Sequence, residues 1–126
     1  MSKKVSKKTM DRVFKRWLFG VHTCWNYETM QGLGFGYAML PALEEIYSDD
    51  KEGLQEAVEN NVQFFNTNAT TGSLIVGAAL ALEEEGKSAR EAVTAIKTGL
   101  MGPLAGLGDS LCVVIPWTIF GAIAAN

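Results

Sequence analysis

Residues 99–111 read GLMGPLAGLGDSL: four glycines and Pro103 among apolar residues, then a single carboxylate, Asp109. Asp109 is the only charge between Lys97 and Asn126. The stretch is too apolar for an ordinary surface loop and too rich in Gly and Pro for an ordinary helix. At mid-membrane depth a carboxylate costs about 2.5 to 3.5 kcal/mol, so it persists there only with a partner or a polar cavity. An N-cap for the segment that follows is the competing reading of Asp109, and both roles are compatible at the tip of a re-entrant hairpin.

The segments around it are apolar and interrupted. After Asp109 come 17 uncharged residues, roughly 26 Å as a helix against a ~30 Å hydrocarbon core. Residues 60–82 are uncharged, amide-rich at first and uniformly apolar later, and residues 29–43 form another uncharged run holding Pro41. Short, Gly/Pro-interrupted apolar segments suit buried core helices or the broken helices of transporters. Apolar residues rarely alternate, which excludes a strand-rich fold, and Ala, Leu, Glu and Lys dominate the periodic segments. The fold class is therefore all-α, a membrane-associated helical domain with amphipathic and broken or re-entrant helices.

With 126 residues and a net charge of −3, the chain has room for one modest core. The charge is uneven: residues 1–16 hold seven cations against Asp11 alone, which leaves −9 on the remainder. Such an arm suits nucleic acid, an anionic membrane surface, or plain solvation. Residues 1–11 read as a basic disordered arm. Met10, Val13, Phe14, Trp17 and Leu18 then recur at helical spacing beside basic residues, an amphipathic helix lying on a membrane surface or on a partner. Residues 25–47 predict a helix that Pro41 bends. Asp49 with Glu52, and Ser88 with Glu91, have the spacing of capping boxes. Gly86 predicts a helix stop, and the last periodic helix is expected to end near Gly99.

Several chemical motifs fail on spacing. A phosphate loop at EEEGKS (residues 83–88) needs glycine where Ala81 stands. Gly32, Gly34 and Gly36 miss the dinucleotide spacing, and alternate glycines in a helix favour close helix packing. His22, the only histidine, and the distant Cys24 and Cys112 make neither a metal site nor a disulfide framework. No nucleophile-and-base set emerges. No catalytic residue, metal or cofactor is expected.

What remains is three polar islands in apolar context: CWNYETMQ (24–31), FFNTN (64–68) and GDS (108–110). Amides and hydroxyls among aromatics suit a sugar, whose hydroxyls need paired donors and acceptors while its C–H face packs on an aromatic ring. Asn26, Gln31, Asn66, Thr67 and Asn68 supply the hydrogen bonds of such a site, with Trp25 as platform and Asp109 and Ser110 from the third island. The alternative for each amide is a helix cap or a satisfied broken backbone.

WNYETMQGLGFGYAMLPALEEIY, FFNTN, LALEEE and above all IKTGLMGPLAGLGDSL resemble the IID component of mannose-family bacterial phosphotransferase sugar permeases, in its N-terminal half. The likeness runs from about Arg12 to Leu111, so residues 12–126 read as the N-terminal portion of a IID-type membrane domain. The resemblance implies a subunit of the bacterial cytoplasmic membrane, with membrane lipid rather than nucleic acid around it; the charges inside DRVFKRWLF (11–19) speak against a secretory signal and point to an N-terminus on the cytosolic side. It implies a hetero-oligomer with a IIC subunit that carries mannose-type hexoses or amino sugars inward, where a IIA/IIB phosphocarrier donates the phosphoryl group and IID stays unphosphorylated. Under it the Gly/Pro run is a broken helix and Asp109 its buried polar end. After GDSL the family has a Phe-Trp-Gly-Thr-like sequence and a nearby Arg-Pro, whereas this chain has CVVIPWTIF, so a role resting on that Arg does not carry over. The alternatives are a soluble α-helical interaction or scaffold module, or a non-functional fragment of the permease.

Overall fold

The computed structural model describes residues 3–125. The order is α1 (Lys7–Gly20), α2 (Gly32–Ile46), α3 (Lys51–Asn61), α4 (Ala69–Glu83), a 3₁₀ turn (Lys87–Ala89), α5 (Arg90–Asp109), a π turn (Ser110–Val114) and α6 (Ile115–Ala124). The all-α class is as the sequence predicts. α4 packs along α5 and against α1 and α2, while α2 packs on α1 and α3.

The core is centred on three aromatic rings from different segments. Trp17 meets Phe35 and Phe65 edge-on at 5.9 and 6.0 Å, and Phe35 lies 4.8 Å from Phe65. All three are buried, and each contributes roughly 1.5–3 kcal/mol by leaving water. Trp17 keeps its polar edge satisfied by donating Nε1–H to the Ala69 carbonyl at 2.9 Å. The buried stripe of α1 is Val13, Trp17 and Gly20, whereas Met10 and Leu18 of the predicted apolar face are exposed. The alternate glycines act as the sequence suggests: a Cβ at Gly34 would lie 2.7 Å from the Val21 carbonyl oxygen, and one at Gly36 would run into Val62 Cγ1.

Several boundaries move, each for a tertiary or local reason. α2 begins at Gly32, not near Trp25, because residues 24–31 are spent on a turn. It runs through Pro41, whose missing N–H orphans the carbonyl four residues back, Tyr37. Arg16 Nη1 donates to that oxygen at 3.1 Å, so a cation from α1 repairs the gap and the helix continues. The cap of α3 is Asp50, which accepts from Gly53 N–H at 2.9 Å, not Asp49. Ser88 caps nothing; its hydroxyl donates back to the Glu85 carbonyl inside the turn. Gly86 does stop α4's extension, at φ +85°. Of the predicted basic arm, residues from Lys7 onward are helical, and Lys3 donates its N–H to the Glu84 carbonyl at 3.1 Å.

The last helix does not end at Gly99. From Lys87 to Ala124 the chain makes one apolar helical rod of 38 residues, long enough to cross a membrane. The interruption expected over 99–111 takes the form of the π turn at Ser110–Val114, where Ile115 N–H reaches back five residues to the Ser110 carbonyl. Pro116 follows at once, and its ring crowds the carbonyl four residues back, that of Cys112 within the π turn; the surplus residue opens the helix there. Asp109 sits mid-rod, makes no capping bond to the following turn, and is exposed rather than buried. Beyond it Leu111, Ile115, Trp117, Phe120 and Ile123 are all exposed, a continuous apolar surface that no other element of the bundle covers.

Candidate functional site

The first polar island is a turn held by Asn26. Its Oδ1 accepts from the N–H groups of Glu28 and Thr29 at 2.9 and 2.8 Å, and its Nδ2 donates to Thr29 Oγ1 at 2.8 Å. Met30 closes the turn at φ +53°, a conformation that costs a non-glycine residue of order 1 kcal/mol and is fixed here by two backbone bonds with Asn26. The turn then pairs with the second island: Gln31 N–H donates to the Phe65 carbonyl at 2.8 Å and Phe65 N–H to Thr29 at 3.2 Å. Gln31, buried, completes the seam with both ends of its amide, Nε2 donating to the Thr67 carbonyl at 2.8 Å and Oε1 accepting Thr67 N–H at 3.1 Å.

The second island is fastened in turn to the third. Thr67 Oγ1 donates to the Met101 carbonyl at 2.9 Å and Thr71 Oγ1 to Leu104 at 2.7 Å, so two hydroxyls bracket Pro103 on α5. Asn68 caps α4 by accepting Thr70 N–H at 3.0 Å, and its Nδ2 donates to Asp109 Oδ1 at 3.0 Å. The three polar islands therefore meet along one line, with residues 64–68 in the middle.

The eight predicted site residues fall into two groups. Asn26, Gln31 and Thr67 spend their side chains on the frame, and Ser110 Oγ donates to Gly106 along its own helix at 2.8 Å. Asn66 is exposed with no side-chain partner among the described residues. Asn68 and Asp109 form the outward pair, and Asp109 Oδ2 is open. Trp25 is 49 % exposed, edge-on to the Tyr27 ring at 6.3 Å. No group of His, Cys, Asp and Glu side chains able to hold a metal ion occurs among the described residues.

Beneath this line lies a buried charged layer that sequence reasoning missed. Glu83, 1 % exposed, accepts from Asn61 Nδ2 at 2.8 Å and from the Tyr47 hydroxyl at 3.1 Å. Burial raises the Glu83 carboxyl above its ordinary range, and burial together with that carboxylate pushes the Tyr47 hydroxyl up to about 12. Lys97, 2 % exposed, donates to the last carbonyls of α3, Asn60 at 3.2 Å and Asn61 at 2.9 Å, with its ammonium 4.5 Å from the centre of the Phe35 ring. It thus ties α5 to α3 and braces the aromatic centre below Phe65. The one signal available in the sequence was a lone lysine at the edge of a long uncharged run.

Residues 4–126 match the PTS system mannose/fructose/sorbose family IID component. The mannose-specific EIID component of Escherichia coli K12 is 40 % identical over 81 % of this chain and 38 % of its own length. The sorbose-specific EIID component of Lacticaseibacillus casei is 36 % identical over the whole of this chain and 46 % of its own, and the fructose permease IID component of Bacillus subtilis 33 % identical over 86 % and 40 %. Among solved structures, a chain in the cryoEM structure of the mannose transporter ManYZ with microcin E492 superposes with a TM-score of 0.83 at 36 % identity, over 98 % of this chain and 47 % of that one. The chain spans less than half the length of these relatives. They are membrane components, and a membrane location follows for this chain. The chain belongs to the mannose/fructose/sorbose family of phosphotransferase-system IID components.

Proposed function

We propose that this chain contributes one wall of a sugar translocation path, with a IIC subunit supplying the other and a IIA/IIB phosphocarrier phosphorylating the sugar on the cytoplasmic side, where the N-terminus also lies. Mannose-type hexoses or amino sugars are the substrates, and the chain itself performs no catalysis. The observation that carries this reading is the convergence of the three polar islands beside an apolar rod. Asn66, Asn68 and Asp109 offer a neutral amide and a carboxylate edge to sugar hydroxyls, Trp25 offers an aromatic face, and Asn26, Gln31 and Thr67 hold them in register. Ser110 orients the Asp109 turn.

The test is uptake of radiolabelled hexose by cells that express the whole IID subunit carrying this segment together with IIC and IIA/IIB. Asn66→Ala and Asp109→Ala each lower uptake roughly 10- to 100-fold, the value of one hydrogen bond to a charged or buried partner, while the subunit's level in the membrane stays unchanged. Wild-type uptake in both variants removes these residues from the path. Recovery of the chain, folded and monomeric, in a detergent-free cytosolic fraction favours the scaffold reading instead.

A further inference from the structure

A second set of side chains lies away from the polar islands, where the end of α1 faces α2. A cleft of about 350 Å³ opens there, lined by Arg12, Lys15, Arg16, Phe19, Thr23 and Tyr37. Positions 12, 15, 16 and 19 share one face of α1, which stacks three cations and an aromatic ring along the cleft. We propose that this cleft binds the phosphodiester headgroup of an anionic phospholipid. The proposal rests on the chain's membrane location and not on its role in sugar transport.

The electrostatics favour an anion. Among the described residues no carboxylate lines the cleft; Asp11 borders the adjoining one with Lys7 and Lys8, and Arg12 and Lys15 form the ridge shared by both. Among the described residues the ion pairs are Lys3 with Asp49, Lys87 with Asp50, and Arg90 with Glu56, so Arg12, Lys15 and Arg16 have no acidic partner. Two carbonyls at the end of α1 are already occupied, that of Trp17 by Val21 N–H and that of Gly20 by the Thr23 N–H and hydroxyl. Arg16 is held in place before any ligand arrives, its guanidinium 4.6 Å over the Tyr37 ring and hydrogen-bonded to the Tyr37 carbonyl. A fixed guanidinium flanked by two exposed cations suits a phosphate.

The rim selects a lipid over a soluble phosphate. The two rings that line the cleft are open to the outside, Phe19 at 77 % exposed and Tyr37 at 46 %. Apolar and amphipathic rings beside Lys and Arg are what settles at the headgroup level of a bilayer, with the cations on phosphate and the rings among the upper acyl carbons. A free phosphate ester would satisfy the cations and leave those rings in water.

Cys24 lines the same cleft and is exposed, which provides the readout. The full chain carrying Cys112→Ser is placed in nanodiscs of phosphatidylcholine, with or without one-third phosphatidylglycerol, and alkylated with a neutral maleimide. Cys24 reacts at least about threefold more slowly in the phosphatidylglycerol discs, and Arg12→Gln/Lys15→Gln restores the faster rate in those same discs. Lys7→Gln/Lys8→Gln removes equal charge one cleft away and leaves the protection in place. Equal loss in both double variants, or no protection at all, overturns the site, because surface potential alone then acts. Equal protection by millimolar glycerol phosphate in phosphatidylcholine discs overturns the lipid source and assigns the cleft to soluble phosphate esters. None of these arms reads sugar uptake, so failure here and failure of the transport reading are distinguishable.

Discussion

Gly108 is the point at which α5 admits the capped end of α4, and adding one methyl group there tests the whole junction. The Cβ of an alanine would lie 2.5 Å from both Cβ and Cγ of Asn68 and 2.7 Å from Thr71 Oγ1. An ordinary carbon–carbon contact is 3.5–4.0 Å, so α4 must retreat by about 1 Å. Neither neighbour swings aside freely: Asn68 is held by Thr70 and Asp109, and Thr71 by the Leu104 carbonyl. Overpacking of this kind costs about 1–3 kcal/mol and loosening the Asn68 cap about 1 more, against a gain of about 1 kcal/mol from replacing glycine inside a helix. Gly108→Ala is therefore destabilising by about 2 kcal/mol. Gly106→Ala, whose Cβ meets nothing within 4 Å, keeps only the favourable ~1 kcal/mol. Chemical unfolding of the full chain in a mild detergent, followed by circular dichroism, compares the two. Equal stability of the variants refutes the claim that close approach at Gly108 brings Asn68 to Asp109.

Lys97→Met keeps the unbranched stem as far as Cε and removes the donors to the Asn60 and Asn61 carbonyls, so unfolding in the same detergent shows a loss of about 3 kcal/mol; undiminished stability means that water reaches the end of α3. Glu45 governs a pH response at the start of α1. The Thr9 hydroxyl first, then the Ser6 N–H, hold its carboxyl below the ordinary glutamate value, and Ser6 N–H donates to Oε1 at 2.8 Å. A folded-state value below the unfolded one means that the contribution is complete above the unfolded pKa, about 4.3, and vanishes as pH falls through the folded one. Hydrogen-exchange protection factors at Thr9 and Met10 thus drop below about pH 4 in the wild type and are low and flat in Glu45→Gln. A wild-type profile as flat as the variant's rejects the assignment.

How far the sequence carried is best seen residue by residue. The helical class, the stop at Gly86 and the packing use of Gly34 and Gly36 were legible because each depends on backbone rules that act within a few residues. The length of the last helix was not: Gly99 and Pro103 read as terminators, yet the rod runs through both, with Thr67 and Thr71 hydroxyls tying the Met101 and Leu104 carbonyls to the start of α4. Arg16 repairing the gap left by Pro41 is a remote compensation that no local pattern announces. The three polar islands were visible as composition, but their junction rests on Gln31 and Asn68 reaching across 36 and 41 positions in sequence. Lys97 and Glu83 escaped because burial of a charge is decided by distant carbonyls and amides, on which local periodicity is silent.

The π turn at Ser110–Val114 carries a geometric consequence for whatever the distal rod touches. One surplus residue advances the azimuth of all later side chains by about 100° while adding only ~1.5 Å of height. Trp117 and Phe120 hence point in a direction that the face contacting α4 does not dictate. Depth along the rod and compass bearing around it become separately adjustable, and excising a single position between 110 and 114 would turn the tip without appreciably shortening it.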